Sequence, residues 1–293
     1  MIPSLNTSSL PVGPWLEPKL RGAVEHGLQS KGSGFRSRLV NAIGQALEMD
    51  PERLEAMSSG IEYFHLASLI LDDLPCMDDA DTRRGLPCTH RLYGDSMAIL
   101  SALAMINRSY YLIWDSLRGA LPAIQAEANE LLDACLGLNG ILDGQALDLN
   151  FAGSDRSPAT IEKIARKKTG SLLELSILLP AVSSGLDSEA QALLRRLADG
   201  WGCIYQLVDD FKDLEWSEDD SGKTGMRDAL LDRPNLAIAL GKDRSVARLR
   251  SRLSESRRLL SSLAPHERLV SALEPFQQHL EKAGAAFLAA CAA

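Results

Sequence analysis

Several features that would place the protein in familiar classes are missing from its 293 residues. No uncharged apolar run reaches the roughly 18 residues of a membrane-spanning helix. The stretch from Met97 to Ile106 is too short, and Arg108 follows it. The first residues also lack the basic segment and apolar run of a secretion signal. The sequence therefore predicts neither a membrane span nor a signal peptide.

Excess positive charge and paired cysteines are missing too. Lys and Arg number 31 against 39 Asp and Glu, so the formal net charge is −8, whereas a nucleic-acid-binding protein needs a basic surface. The five cysteines include no CxxC pair and are odd in number, which argues against a disulfide framework and favours a reducing, cytoplasmic location. A small anionic substrate stays possible, because it needs only local positive charge or a metal ion.

The composition that is present favours helices. Hydrophobic residues make up 45% of the chain; Leu and Ala dominate, while Val and Thr are sparse. No stretch alternates apolar and polar residues as a strand does. We predict one all-α domain over residues 1–293, a large helical bundle whose first 18 residues are irregular. The predicted helices cover 51–59, 60–74, 95–117, 123–150, 161–184 and 188–215, with two or three more in 229–290 and loops at 153–160 and 216–228.

Two acidic clusters stand at the ends of apolar segments. The first reads DDLPCMDD over residues 72–79, and the second reads DDFKD over residues 209–213. Asp209 and Asp213 are four positions apart and therefore share one face of a helix. A solvated acidic surface is the ordinary explanation of such runs, but like charges crowded at the end of a buried segment require a compensating cation. Mg²⁺ fits, because it takes carboxylate oxygens and commonly bridges to phosphates.

Basic side chains accompany these clusters. Arg83 and Arg84 follow the first cluster closely, and Lys168 and Lys223 stand elsewhere in the chain. An arginine fork matches two phosphate oxygens, and a lysine acts as a point charge. Two carboxylate clusters with several cations predict a site that holds a diphosphate through metal ions.

At these motifs the chain resembles the polyprenyl synthetase family, and within it the bacterial geranylgeranyl diphosphate synthases most closely. The resemblance is carried by HLASLILDDLPCMDDADTRRGLPCTH over residues 65–90 and by YQLVDDFKD over residues 205–213. Further matches are Gly144-Gln145 with Asp148-Leu149, and Lys168-Thr169-Gly170. The similarity spans roughly residues 20–245, so it covers most of the chain.

The resemblance implies a role for each matching residue. The Mg²⁺ ligands would be Asp72, Asp78, Asp209 and Asp213, with Asp73, Asp210 and Lys168 completing the catalytic set. The allylic diphosphate would contact Arg83, Lys168, Thr169, Gln206, Lys223 and Arg233. Isopentenyl diphosphate would contact Arg36, Arg38, His65 and Arg84. The family also implies three Mg²⁺ ions bound with the substrate diphosphate, a central active-site cavity and a homodimer.

The chain departs from the family pattern at three places. Phe35 stands where the family usually has a lysine for isopentenyl diphosphate; this is either harmless drift, with Arg36 or Lys31 supplying the charge, or a sign of weaker binding of that substrate. Arg233 begins a segment where the family often has Lys-x-Thr, and Arg keeps the charge but not the shape. Thr224 replaces a common Asp.

The implied reaction joins isopentenyl diphosphate to an allylic diphosphate and gives a linear trans product. We expect a C20 product, because Ala67 and Ser68 are small and lie one turn before Asp72, while Phe64 on roughly the same face would limit a longer chain. Simple packing against a neighbouring helix is the alternative role for Ala67 and Phe64. The other functions considered are a farnesyl diphosphate synthase, a class I terpene cyclase and a non-catalytic partner subunit.

Overall fold

The computed structural model describes residues 16–29, 32–215 and 233–292, except for the side chains of residues 212–215 and 292. The chain forms two compact units, and both are helical, as the composition predicts. Besides helices, the described residues contain a single two-stranded hairpin. Among these residues, no helix combines the length and the apolar character that crossing a membrane requires. None of the five cysteines, all of them described, forms a disulfide.

The first unit contains the described residues up to Asn41 and Asp50–Gly119. Its elements are α1 (Pro18–Gln29), the first part of α2 (Phe35–Ala46), α3 (Pro51–Asp72), β1 (Thr82–Arg83), β2 (Leu86–Pro87), α4 (Thr89–Tyr93) and α5 (Asp95–Ser116). The two strands pair antiparallel. The core contains apolar side chains of α1, α3 and α5, among them Leu28, Leu66, Ala67 and Met105.

Helix α3 is one continuous helix, not the two predicted for 51–59 and 60–74. It is capped by Asp50, whose carboxylate accepts hydrogen bonds from the backbone N–H groups of Glu52 and Arg53 at 3.0 and 3.1 Å. Gly60 lies inside this helix and does not interrupt it. A Cβ at this position would lie 2.7 Å from Cγ1 of Ile113 on α5. The glycine allows the two long helices to pack closely. The helix ends at Asp72, two residues before the predicted end.

The second unit contains Ala42–Met49 and the described residues of 120–215 and 233–292. Its helices are α6 (Pro122–Leu136), α7 (Ile141–Leu149), α8 (Pro158–Ala165), α9 (Ser171–Ser183), α10 (Ser188–Glu215), α11 (Leu236–Leu240), α12 (Lys242–Ser262) and α13 (Glu267–Ala292). A π-helical turn, Arg166–Gly170, joins α8 to α9. Trp201 of α10 is fully buried, and its indole N–H donates to Gln277 of α13 at 2.7 Å.

Three differences from the sequence predictions have local causes. The predicted helix 123–150 is divided at Gly137 and Gly140, where a Cβ would meet backbone oxygens at 2.4 and 2.1 Å. The predicted helix 161–184 contains the π-helical turn. The hairpin over 82–87 was not predicted, because two-residue strands are too short for an alternating pattern. Helices α5 and α10 match their predicted ranges within one residue, and the single domain over 1–293 stays a prediction.

Candidate functional site

The loop after α3 folds back so that the acids of the first cluster adopt different environments. The backbone N–H of Asp78 donates to the carbonyl of Asp72 at 2.9 Å, and that of Ala80 donates to the carbonyl of Asp73 at 3.1 Å. Asp72 and Asp78 are half-buried, whereas Asp73 is only 4% exposed. The two aspartates predicted to bind metal are thus brought together by the backbone, and both remain partly accessible.

Asp73 is engaged by Arg83 of the hairpin. The guanidinium donates from Nε to both carboxylate oxygens at 2.7 and 3.0 Å, and its Nη2 lies 2.6 Å from Oδ1. Burial alone lowers the pKa of Arg83, but the hydrogen bonds and charge of Asp73 raise it above its ordinary value. The short turn over Arg84 and Gly85, both with positive φ, carries Arg83 back toward the end of α3. Asp73 therefore orients Arg83, a predicted diphosphate contact.

Three of the four residues predicted to hold isopentenyl diphosphate lie close together in the first unit. A guanidinium N–H of Arg36 donates to Nε2 of His65 at 3.3 Å. Burial, and then the charges of Arg36, Arg84 and Arg83, hold the pKa of His65 well below its ordinary value of 6.5. His65 is therefore a neutral group among cations, which suits an anionic ligand. Arg38, the fourth of these residues, is exposed on α2.

Glu62 is a residue of this cluster that the sequence motifs did not identify. It is 5% exposed and lies one turn before His65 on α3. Burial raises its pKa, which the charges of Arg36 and Arg84 and a hydrogen bond from the Ser37 backbone partly oppose. A lone acid inside the apolar segment 60–71 was the signal that could have revealed it.

The residues predicted to set chain length face a packed helix pair. Ala67 is completely buried in the α3–α5 core. Phe64 meets the ring of Tyr110 edge-on, with centroids 6.4 Å apart. Ser68 donates its hydroxyl to the carbonyl of His65 at 2.8 Å. These contacts keep helix packing open as the alternative role for Ala67 and Phe64.

The second acidic cluster also contains one accessible and one buried aspartate. Asp209 on α10 is exposed, whereas Asp210 is 2% exposed. The carboxylate of Asp210 accepts from the Gln206 amide at 2.5 Å and from the Leu236 backbone N–H at 2.6 Å. Asp210 thus ties α10 to the start of α11 and orients Gln206. The side chain of Asp213, and all of Lys223 and Thr224, lie outside the described residues, as does Lys31.

Lys168 belongs to a second group of charges, at the π-helical turn. Its ammonium donates to Oδ2 of Asp148 at 2.7 Å, and Nη1 of Arg233 lies 3.4 Å from the same oxygen. Thr169 follows on the turn and is partly exposed. The structure therefore brings Lys168 and Arg233 together, although 65 positions of sequence separate them. Asp148, noted in the sequence only as a motif match, is the residue that joins them.

In the described residues no three side chains from Asp, Glu, His and Cys approach closely enough to hold one metal ion. The first cluster lies in one compact unit and the second in the other. Their convergence on a shared diphosphate stays a prediction, as do the individual roles of the site residues.

Comparisons with known proteins agree with the motifs. The sequence profile described as polyprenyl synthetase matches residues 17–259. The chain is 33% identical over 224 residues to "Geranylgeranyl pyrophosphate synthase, chloroplastic" of Capsicum annuum, which covers 76% of this chain but only 61% of that protein. It is 32% identical over 238 residues to "Geranylgeranyl diphosphate synthase" of Pseudescherichia vulneris, covering 80% and 75%.

A solved structure gives the same result. A geranyltransferase from Helicobacter pylori, complexed with magnesium and isoprenyl diphosphate, superposes with a TM-score of 0.80 at 28% identity. The match covers 91% of this chain and 89% of that one.

Proposed function

Because the chain belongs to the polyprenyl synthetase family, we propose that it is a trans-prenyltransferase that condenses isopentenyl diphosphate with an allylic diphosphate. The observation that carries the proposal lies in the first unit, where Arg36 contacts His65 at 3.3 Å and the charges of Arg84 and Arg83 help to keep the pKa of His65 below its ordinary value. The same unit presents Asp72 and Asp78 as partly accessible carboxylates. Such a unit offers cations for one diphosphate and metal ligands for another.

The acids suit the magnesium that the family implies. Mg²⁺ is usually held by one or two carboxylates together with water and substrate phosphates. Asp72 at the end of α3 and Asp78 on the loop that follows would provide hard oxygen ligands, and Asp209 on α10 would provide another. Asp73 and Asp210 are engaged by protein donors, so we propose supporting roles for them. We propose that three Mg²⁺ ions bind together with the substrate diphosphate.

In the proposed mechanism the protein contributes position and electrostatics rather than a nucleophile. Arg83, Lys168 and Arg233 would stabilise the negative charge that develops on the leaving diphosphate as the allylic C–O bond breaks. Bound Mg²⁺ would withdraw further charge from that group. Arg36 and Arg84 would hold the isopentenyl diphosphate while its alkene attacks the carbocation. The released diphosphate is the proposed base for the final proton, and exclusion of water would protect the cation.

We propose geranylgeranyl diphosphate, C20, as the product. This product length is supported by the small side chain of Ala67, one turn before Asp72 on α3. The ring pair of Phe64 and Tyr110 lies one turn before Ala67. Ala67→Tyr should shorten the product by at least one C5 unit, and Phe64→Ala should lengthen it. Because Ala67 is completely buried, unfolding must be followed in parallel. An unchanged product from a folded Ala67→Tyr variant would assign this residue to packing alone.

We propose that arginines supply the charge at two positions where the chain departs from the family pattern. Arg36 contacts His65, which supports its supplying the charge that Phe35 does not. Arg233 pairs with Asp148, which supports a diphosphate contact in place of the usual lysine. Both interpretations favour an active synthase over a non-catalytic partner subunit.

We further propose a homodimer located in the cytoplasm. The face of α5 from Ser96 to Trp114 exposes Ile99, Leu100, Leu103, Tyr111 and Trp114. The Arg108 guanidinium lies at its edge, 4.5 Å above the centre of the Tyr111 ring. An apolar stripe of this kind is typical of an interaction surface, and a two-fold dimer would pair it with itself. A reducing compartment agrees with five cysteines that form no disulfide.

The test is incubation of the purified protein with Mg²⁺, isopentenyl diphosphate and, separately, dimethylallyl, geranyl or farnesyl diphosphate. We expect a linear C20 product. A C15 product would favour a farnesyl diphosphate synthase, a cyclic hydrocarbon would indicate a terpene cyclase, and no turnover with any allylic substrate would favour a partner subunit. Asp72→Ala and Asp209→Ala should each lower kcat by at least about a hundredfold, since each removes a proposed metal ligand.

A further inference from the structure

Asp148 is a buried acid in a segment that matches the family, but the resemblance assigned it no role. It lies near the end of α7 and is 6% exposed. Its Oδ2 accepts from Lys168 Nζ at 2.7 Å and lies 3.4 Å from Arg233 Nη1. One carboxylate oxygen thus holds a lysine of the π-helical turn beside an arginine that precedes α11.

The backbone around Asp148 is packed so that this arrangement has little freedom. A Cβ on Gly144 of α7 would lie 2.3 Å from the Lys168 backbone nitrogen, so the helix touches the main chain of the π-helical turn. The preceding lysine is held by the same helix, since Lys167 Nζ donates to Asp143 at 2.6 Å. Two aspartates of α7 therefore hold two consecutive lysines of the turn.

The charges explain why an acid is needed there. Lys168 and Arg233 carry like charges, and two cations side by side repel unless a negative charge lies between them. Asp148 supplies that charge and also fixes the direction of both side chains through charge-assisted contacts. Without it the site would be more positive, and it would still attract a diphosphate, but its two cations would separate.

We propose that Asp148 is a positioning residue, which holds Lys168 and Arg233 together in the arrangement that receives the leaving diphosphate. The proposal rests on the prenyl transfer proposed above. It assigns the acid of the Asp148-Leu149 motif a role that acts through two other side chains. Asp148 itself contacts neither the metal nor the substrate in this proposal.

The first experiment compares Asp148→Asn with Asp143→Asn by steady-state kinetics. Asp148→Asn should lower kcat by about tenfold or more, the change in rate that about 1.4 kcal/mol of transition-state stabilisation produces. KM for the allylic diphosphate should change by less than about threefold, because the added positive charge compensates in the ground state. Asp143→Asn is the matched control: it breaks a lysine pair of similar length on the same helix, and its kcat should stay near that of the wild type.

The second experiment tests whether Asp148 acts through Lys168. In a double-mutant cycle with Lys168→Ala, the loss of kcat caused by Asp148→Asn should largely disappear, since the residue it positions is already gone. Additive losses would overturn the proposal. So would an Asp148→Asn variant with the kcat of Asp143→Asn, or one whose loss of activity follows only a lower Tm.

Asp148→Glu covers the case in which the asparagine variant does not fold. It keeps the charge but moves the carboxylate by one methylene, so kcat should fall while the fold persists; wild-type kcat in this variant would contradict positioning. If the wild-type protein shows no turnover, the proposed function fails separately. Calorimetric titration with Mg²⁺ and inorganic pyrophosphate then measures pyrophosphate affinity in the same double-mutant cycle. The effects of the Asp148 and Lys168 substitutions on this affinity should be coupled, and additive effects would reject the positioning role of Asp148.

Discussion

At the scale of single residues, the aspartates within each acidic cluster differ in burial and in their hydrogen-bond partners. Asp73 is closed in by Arg83, and Asp210 by Gln206 and the Leu236 backbone, so their oxygens are occupied by protein donors. Asp72 and Asp209 are more accessible. The neutral His65 among arginines belongs to the same scale, because its protonation state follows from burial and neighbouring charge.

The depressed pKa of His65 predicts how stability changes with pH. Burial, and then the charge of Arg36, keep the imidazole neutral in the folded protein. In the unfolded chain it takes up a proton near its ordinary pKa of 6.5. Below that pH the unfolded state binds more protons than the folded state, so the free energy of unfolding decreases as the pH falls. For one group the slope cannot exceed about 1.4 kcal/mol per pH unit.

His65→Gln should therefore flatten the fall in unfolding free energy between about pH 7 and pH 5, measured by urea denaturation at several pH values. Identical slopes in wild type and His65→Gln would show that His65 titrates normally in the folded state.

At the scale of elements, the π-helical turn between α8 and α9 is the feature that shapes the second charge group. Such turns are rare in proteins, and a large share of those that occur lie at functional sites. Here the turn lies against Gly144 of α7 so closely that its main chain occupies the space of a side chain. The close approach lets Asp143 and Asp148 reach Lys167 and Lys168.

Gly144→Ala should lower the unfolding free energy by about 1–3 kcal/mol, as expected for overpacking. Helix propensity alone would change stability in the opposite direction by about 1 kcal/mol, so the sign of the effect identifies the clash. Gly153→Ala is the control, because a Cβ there meets nothing within 4 Å, and its effect should stay within about 0.5 kcal/mol. Thermal unfolding measures both, and a Tm for Gly144→Ala equal to or above the wild-type value would contradict the prediction.

At the scale of the whole molecule, the apolar outer face of α5 is the feature that bears on assembly. It runs for about five turns, from Ser96 to Trp114, and exposes Leu103 near its middle. The opposite face of the same helix packs on α3. An amphipathic helix should present polar residues to solvent, and this one presents apolar side chains instead.

Leu103→Glu should therefore convert the proposed dimer to a monomer, because a two-fold axis along this stripe would bring two buried carboxylates together. Sedimentation velocity measures the change, and circular dichroism should show unchanged helix content. Ser251→Glu adds the same charge to an exposed position of α12 and should leave the mass unaltered. A Leu103→Glu variant that sediments like the wild type would place any dimer contact elsewhere.

Local chemistry alone determined the helical class, several helix starts and the residues of the acidic motifs. Asp50-Pro51 and Ser157-Pro158 begin their helices through local chemistry, because a capping oxygen and a proline act within one turn. The ranges of α5 and α10 follow from their apolar periodicity. These features depend on residues near one another in sequence, so a sequence pattern is sufficient to predict them.

Tertiary structure alone decided which acids are engaged by the protein and which stay accessible. It also joined Lys168 to Arg233 through Asp148, placed Glu62 beside Arg36 and Arg84, and inserted the π-helical turn against Gly144. Burial and ion pairing depend on side chains brought together from distant positions in the chain, and spacing along the sequence carries no measure of that distance.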